Sequence, residues 1–248
     1  MFWINKMPTL AVLPLAMLAG TAAYADTLIV RSTGPSAKSY APGKSLPANA
    51  KLSLQAGDAI TILDAKGTRV LKGPGSVSVS DASSIPTSSS IVQFLKNTGV
   101  RQARTGATRG GLGPVARSPN LWFVDVSKTG NICLSDPAAA TMWRPNANAP
   151  QTLTLTSVSD SKSMTVQFGV GQSARPWPSS DMPIRDGAQY RLSGAGTNPS
   201  TMIKVHAVTS TGDLETTASA LLKMGCTAQM DLLIDTVAVP GQTAGSTS

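Results

Sequence analysis

Apolar and polar residues alternate along much of this chain in short runs with a period of two. Leu52 and Leu54 fall on one side of Lys51–Gln55, Ile60 and Ile62 on one side of Asp58–Leu63, and Val77 and Val79 on one side of Ser76–Ser80. Thr27–Arg31 (TLIVR) is apolar and β-branched, and Asp64-Ala65-Lys66-Gly67 has the composition of a tight hairpin turn, with Gly67 supplying positive φ. Alternation broken by Gly, Pro and Asp predicts a small antiparallel sheet over residues 26–80. The same pattern returns after residue 120. LWFVDV (Leu121–Val126) reads as a strand, Lys128–Asn131 as a turn and Ile132–Leu134 as its return, a hairpin with Cys133 in the second arm. Leu153 and Leu155 alternate with Thr, and Met164, Val166, Phe168 and Val170 with polar residues, which predicts a second hairpin. Gln189–Leu192 and Met202–Val208 read as further strands. The period changes at Asp213, where an N-cap, Glu215 in the first turn, Leu214, Ala218, Leu221 and Leu222 on one face, Lys223 in the last turn and Gly225 beyond predict a helix over 213–224. Met230–Val237 reads as a last strand.

The segments between and around these units carry other signals. Residues 81–119 begin with small polar residues, pass through a short helical pattern at Ser88–Asn97, and become rich in Gly and Arg. Within Thr98–Pro119, Arg101, Arg104, Arg109 and Arg117 occur without an acid. This stretch reads as a solvated basic linker or, alternatively, as a polyanion-binding arm; a single Arg-Gly-Gly with no interleaved aromatic favours the linker. Residues 240–248 have the composition of a disordered tail.

Several residues of the first unit carry a family likeness. They are Gly43-Lys44-Ser45-Leu46, Ala56-Gly57-Asp58 with Ile60 and Ile62, Gly67-Thr68-Arg69-Val70-Leu71, and Gly73-Pro74-Gly75. This order of a GD turn, a strand, a glycine hairpin and a strand ending at Gly-Pro resembles the FecR-like domain of bacterial exported and envelope proteins. The resemblance covers residues 26–80 and implies a β-fold. The iron-siderophore signalling after which the family is named is not carried over; at most, a regulatory role in an envelope sensing system is implied. The layout as a whole is similar to exported proteins of Gram-negative bacteria, which implies a compartment rather than an activity.

The N-terminus points the same way. Met1–Lys6 is short with one Lys, Met7–Gly20 is apolar and interrupted by two prolines, and Thr21–Ala25 ends in small residues with Ala23 and Ala25 placed for cleavage before Asp26. This is the order of a secretory signal peptide over residues 1–25, with an uncleaved anchor as the alternative. Nothing further along predicts a transmembrane segment, so the expected location is the periplasm or the exterior. Removal of Lys6 with the signal changes the formal net charge from +8 to +7. An anionic envelope attracts such a charge without sequence readout, so specific nucleic-acid binding does not follow from it. Export also changes the meaning of the two cysteines, Cys133 and Cys226. In an oxidising compartment they are expected to pair with each other.

Catalytic chemistry finds little support. The one histidine, His206, lies in a strand opposite the apolar positions Ile203, Val205 and Ala207, and reads either as a surface strand residue or as a general base lacking recognisable partners. The one glutamate, Glu215, fits a helix start. Most Asp residues fall in turns, and no cysteine or histidine cluster suits zinc. Trp143-Arg144 and Arg175-Pro176-Trp177 place cation beside indole; they read as core packing at strand ends or as a stacked Arg–Trp surface for a ligand. The sequence therefore predicts a mainly β protein of two small β-rich units. The first is a FecR-like β-domain (26–80). The second is a β-sandwich-like domain (120–239) with one C-terminal helix, closed by Cys133–Cys226. The expected function is a non-enzymatic binding or interaction module, without cofactor or metal, whose partner is an envelope protein or an anionic envelope polymer. A regulatory partner of an envelope sensor is the alternative, and a hydrolase is a third. Candidate binding residues are Trp143, Arg144, Arg175 and Trp177.

Overall fold

The computed structural model describes residues 27–64, 67–80, 95, 116–194, 197–209 and 212–237. The expected signal peptide (1–25), most of the 81–119 segment and the tail (240–248) lie outside them. The chain is mainly β. Six strands precede the linker: β1 (Thr27–Thr33), β2 (Ser45–Leu46), β3 (Lys51–Leu54), β4 (Ala59–Asp64), β5 (Gly67–Lys72) and β6 (Gly75–Ser78). They form a four-stranded sheet in the order β2-β1-β4-β5 and a separate β3-β6 pair, all antiparallel. The two pack over a core of Ile29, Leu52, Leu54, Ile60, Ile62 and Leu71. Leu52, Leu54, Ile60 and Ile62 are residues that alternation placed on one side.

The residues carrying the family likeness do structural work here. The Asp58 carboxylate accepts from Ser36 N at 2.9 Å and Gln55 N at 2.5 Å, and Asp58 O accepts from Gly73 N at 3.1 Å. Gly73 lies so close to this turn that a Cβ there would sit 2.1 Å from the Gln55 carbonyl oxygen. The GD turn and the Gly-Pro are thus two sides of one contact.

Eight strands and two helices follow the linker: β7 (Val124–Asp125), β8 (Gly130–Leu134), β9 (Thr141–Trp143), β10 (Gln151–Ser157), β11 (Ser163–Phe168), β12 (Ala174–Pro176), β13 (Gln189–Gly194), β14 (Thr197–Ala207), α1 (Leu214–Met224) and α2 (Thr227–Thr236). A five-stranded sheet, β11-β10-β13-β14-β8, packs on a three-stranded one, β12-β9-β7, around Val124, Leu134, Met142, Leu153, Phe168, Leu192 and Val205. This is the expected sandwich. Helix α1 has the predicted termini: Asp213 accepts from Thr216 N at 2.8 Å, and Gly225 adopts φ 68°.

Two expectations are corrected. Leu121–Leu134 is not a hairpin. β7 pairs in parallel with β9 in one sheet, while β8 pairs in parallel with β14 in the other. LWFVDV is buried on both sides, with Leu121 and Trp122 in one core and Val124 and Val126 in another, so it bridges two cores and cannot lie as a half-exposed arm. The expected last strand, Met230–Val237, lies largely in helix α2. Its buried residues Met230, Leu233 and Ile234 recur at helical spacing, and they face the same core as α1. That core also takes in Leu28, Val30 and Leu63 from the first unit and Leu121, Trp122 and Cys133 from the second. The helical pair is therefore packed between the two β units. Leu95, the one described residue of the expected 88–97 helix, is helical and buried there, and its carbonyl accepts from Trp122 Nε1 at 2.7 Å.

Candidate binding surface

The cysteines are joined, with Sγ–Sγ 1.98 Å and Cα–Cα 5.9 Å, and both are fully buried. The bond ties β8 to the residue that precedes α2. His206 lies beside it, opposite Cys133 in the β8–β14 pairing. Its Nε2 is 3.1 Å from Asn131 Oδ1, an amide rather than a carboxylate. Among the described residues no group of three His, Cys, Asp or Glu is placed to hold a metal ion.

The four candidate binding residues do not form a cation–indole surface; Trp143, Arg144 and Trp177 pack inside, the other reading of these pairs. Trp143, Arg144 and Trp177 are each at most 4 % exposed. β9 has neighbours on both edges and is buried on both faces, which takes Trp143 inside. Trp177 donates from Nε1 to Met182 O at 2.7 Å and meets the Tyr190 ring edge-on at 5.1 Å. Burial at this contact pushes the Tyr190 phenol above its ordinary pKa. Arg144 donates from Nε to Gln172 O at 2.9 Å, from Nη1 to Ala149 O at 2.7 Å and from Nη2 to Gly169 O at 2.7 Å, and its guanidinium lies over the Phe168 ring. Burial lowers its pKa. This arginine laces two loops together from within. Arg175 is half-buried on β12.

The surface that is available lies on the opposite side of the five-stranded sheet. Its inner side is the sandwich core. Its outer side carries Ser163, Thr165 and Gln167 on β11, Thr152, Thr154 and Thr156 on β10, Gln189, Arg191 and Ser193 on β13, and Met202, Lys204 and His206 on β14. The helices cover this side only near β8. Four strands at about 4.8 Å spacing leave a broad polar face beyond them. Among the described residues it bears two exposed cations, Arg191 and Lys204, and no carboxylate. Arg191 pairs with Met202 and Gln189 with Lys204, so the cations are diagonal neighbours at roughly 7–8 Å. The acids at its margin are occupied: Asp160 accepts from Lys162 N, and Asp186 from Ala207 N.

Alternation marked most of these positions as solvent-facing, but not that β13 would lie beside β10 and carry Arg191 into the same face. Two clefts elsewhere carry carboxylates. The larger, about 310 Å³, runs along α2 over Leu121, Phe123 and Ile132. Its carboxylates are occupied: Asp231 by Arg31, Asp235 by Arg117 at 3.3 Å, and Asp125 by the Ser127 N–H and hydroxyl. The smaller, about 210 Å³, lies between Asp160, Lys162, Arg185 and Tyr190. No helix of the described residues is long and apolar enough to cross a membrane. Comparison with protein-family models, with curated proteins and with solved structures gives no match.

Proposed function

We propose that this chain is a non-enzymatic binding module that acts in the cell envelope, outside the cytoplasm, and that the outer face of its five-stranded sheet meets an anionic envelope polymer. The observation that carries the reading is the charge of that face: Arg191 and Lys204 are exposed among Ser, Thr and Gln side chains, without a carboxylate. Polar hydroxyls and amides serve sugars, and paired cations serve phosphates or carboxylates. The Cys133–Cys226 bond supports an oxidising compartment. The amide partner of His206 supports a binding role over hydrolysis, because a serine relay needs a carboxylate to hold its imidazole.

Co-sedimentation with purified peptidoglycan sacculi and with lipopolysaccharide vesicles tests the reading. The protein is expected to bind one of them at low salt and to release as salt rises. Two exposed charges at roughly 0.7 kcal/mol each predict that Arg191→Ala/Lys204→Ala weakens retention about tenfold. Retention that ignores both salt and the double substitution overturns it. Capture of a membrane sensor from a periplasmic extract in place of polymer moves the reading to the regulatory role that the FecR-like resemblance implies.

A further inference from the structure

Every sheet edge exposes unpaired N–H and C=O groups, and folded proteins close such edges. Two are closed here, each by one side chain that bonds both the N–H and the C=O of one strand residue, and the stretch of β14 that runs past the end of β8 is closed in the same way. The Tyr40 hydroxyl holds Ser53 of β3 (3.0 and 3.2 Å), the Thr129 hydroxyl holds Met202 of β14 (3.3 and 2.8 Å), and the Gln229 amide holds Cys133 of β8 (2.7 and 2.7 Å). On β5, Thr68 N donates to Val237 O at 3.1 Å. β2 and β7 are two residues long, β6 is four, and β12 ends on Pro176, which has no N–H.

β11 is different. It is six residues long, pairs with β10 without a register shift, and contains neither charge nor proline. The bond from Ser157 N to Lys162 O sets the phase of the ladder, so Met164, Val166 and Phe168 bond to β10 while the main-chain groups of Ser163, Thr165 and Gln167 point away. Among the described residues nothing bonds to them.

We infer that β11 pairs antiparallel with β11 of a second copy of this chain, about a two-fold axis at Thr165. Only outward-pointing residues can form the new ladder. Centring it on Thr165 is the register that engages all of them, Thr165 with Thr165 and Ser163 with Gln167 in both directions, giving six N–H···O bonds. Neutral Ser, Thr and Gln meet on the outer side, and Thr–Thr is a favourable cross-strand pair. On the inner side, half-buried Met164 meets Val166 of the other copy and extends the core seam.

A second copy also satisfies the charge constraint on a basic chain. The two Arg191 would be five strand spacings apart, about 24 Å, and the two Lys162 six residues apart along the joint, about 20 Å; both exceed the screening length of about 8 Å at physiological salt. A joint of six residues a side is far below the roughly 20–30 of a standard interface, so the dimer is reversible and concentration-dependent. The inference stands independently of polymer binding, although the joint would merge two outer faces into one.

Cysteine placement tests the register. Paired residues of this type have Cα atoms about 5.5 Å apart, within disulfide reach. Mild oxidation should convert Thr165→Cys to a covalent dimer, whereas Gln167→Cys, about 14 Å from its twin, should remain monomeric. Ser163→Cys mixed with Gln167→Cys should form the mixed dimer. Sedimentation of the unmodified chain should show a rising mass with concentration that Thr165→Lys abolishes. All three positions are exposed, so folding is not at risk. A monomer up to about 1 mM, a Thr165→Cys variant that keeps a labelable thiol, or equal crosslinking through Gln167→Cys overturns the inference.

Discussion

Replacing Gln229 should destabilise this protein more than its polar, unremarkable sequence context suggests. Its amide accepts from Cys133 N and donates to Cys133 O and Leu121 O, all at 2.7 Å, and the residue is 4 % exposed. Gln229→Leu keeps similar bulk and removes every one of these bonds, leaving one N–H and two C=O groups buried without partners. Each such group costs about 1–3 kcal/mol, and with partial relaxation the sum is about 3–6 kcal/mol. That is a large share of the roughly 5–15 kcal/mol by which a domain is stable. Urea unfolding with the disulfide intact should show a lower midpoint at an unchanged slope. Gln229→Glu separates the hydrogen bonds from the shape. The protonated acid can accept from Cys133 N and donate to one carbonyl; the carboxylate faces two carbonyl oxygens in a buried site. Its folded-state pKa is therefore raised, so its stability is greatest below the ordinary value of about 4.3 and falls as pH rises, by about 1.4 kcal/mol per unit until the folded pKa is passed. A Gln229→Leu variant within about 1 kcal/mol of the parent would refute the reasoning, as would a pH-independent Gln229→Glu penalty.

The disulfide closes a sequence separation of 93 residues, for which the chain-entropy model gives about 4.7 kcal/mol, so Cys133→Ala/Cys226→Ala should lower Tm by about 10–20 °C in calorimetry. Thiol labelling of the denatured, unreduced chain should find no free cysteine. Arg144→Met strands the carbonyls of Gln172, Ala149 and Gly169 and should cost about 2–5 kcal/mol in chemical unfolding; Arg144→Lys should recover little of it, because one ammonium cannot span three carbonyls. The Ser36 hydroxyl, with the Ser36 and Gln55 amides, holds the Asp58 carboxyl below its ordinary pKa against the opposing effect of burial. A depressed folded pKa contributes stability that is present above the unfolded value, about 3.9, and is lost as pH falls through the folded one. Asp58→Asn should therefore lower stability at neutral pH and flatten the acid limb of the unfolding curve.

Local pattern made much of the fold legible. The β10–β11 hairpin follows from Leu153 and Leu155 alternating with Thr, then Met164, Val166 and Phe168, and both ends of α1 follow from Asp213 and Gly225. Errors arose where a segment is buried on more than one side. LWFVDV and Met230–Val237 are rich in apolar residues, and such runs do not distinguish strand from helix by richness alone. In the second, the spacing of Met230, Leu233 and Ile234 contained the signal. The parallel pairing of β8 with β14 joins residues about seventy positions apart, and no local pattern encodes it. The same holds for the outer face and for Tyr40, Thr129 and Gln229, each an ordinary polar residue until the strand it closes is in place. Arg144 illustrates the converse: its neighbours allowed core packing or a surface, and the guanidinium is taken inside because backbone carbonyls surround it.

The helical pair between the two β units also fixes the order in which this chain can become complete. Leu28, Val30 and Leu63 form the back of a sheet made early, yet their cover is supplied by residues 214–237, at the other end of the described chain. During synthesis from the N-terminus, that apolar back stays open while about 150 further residues emerge, an interval in which exposed sheet surface is prone to association. The bond from Cys133 waits for the same late segment. A chain cut before residue 214 loses the lid of its first sheet, the edge closure of β8 and the crosslink together.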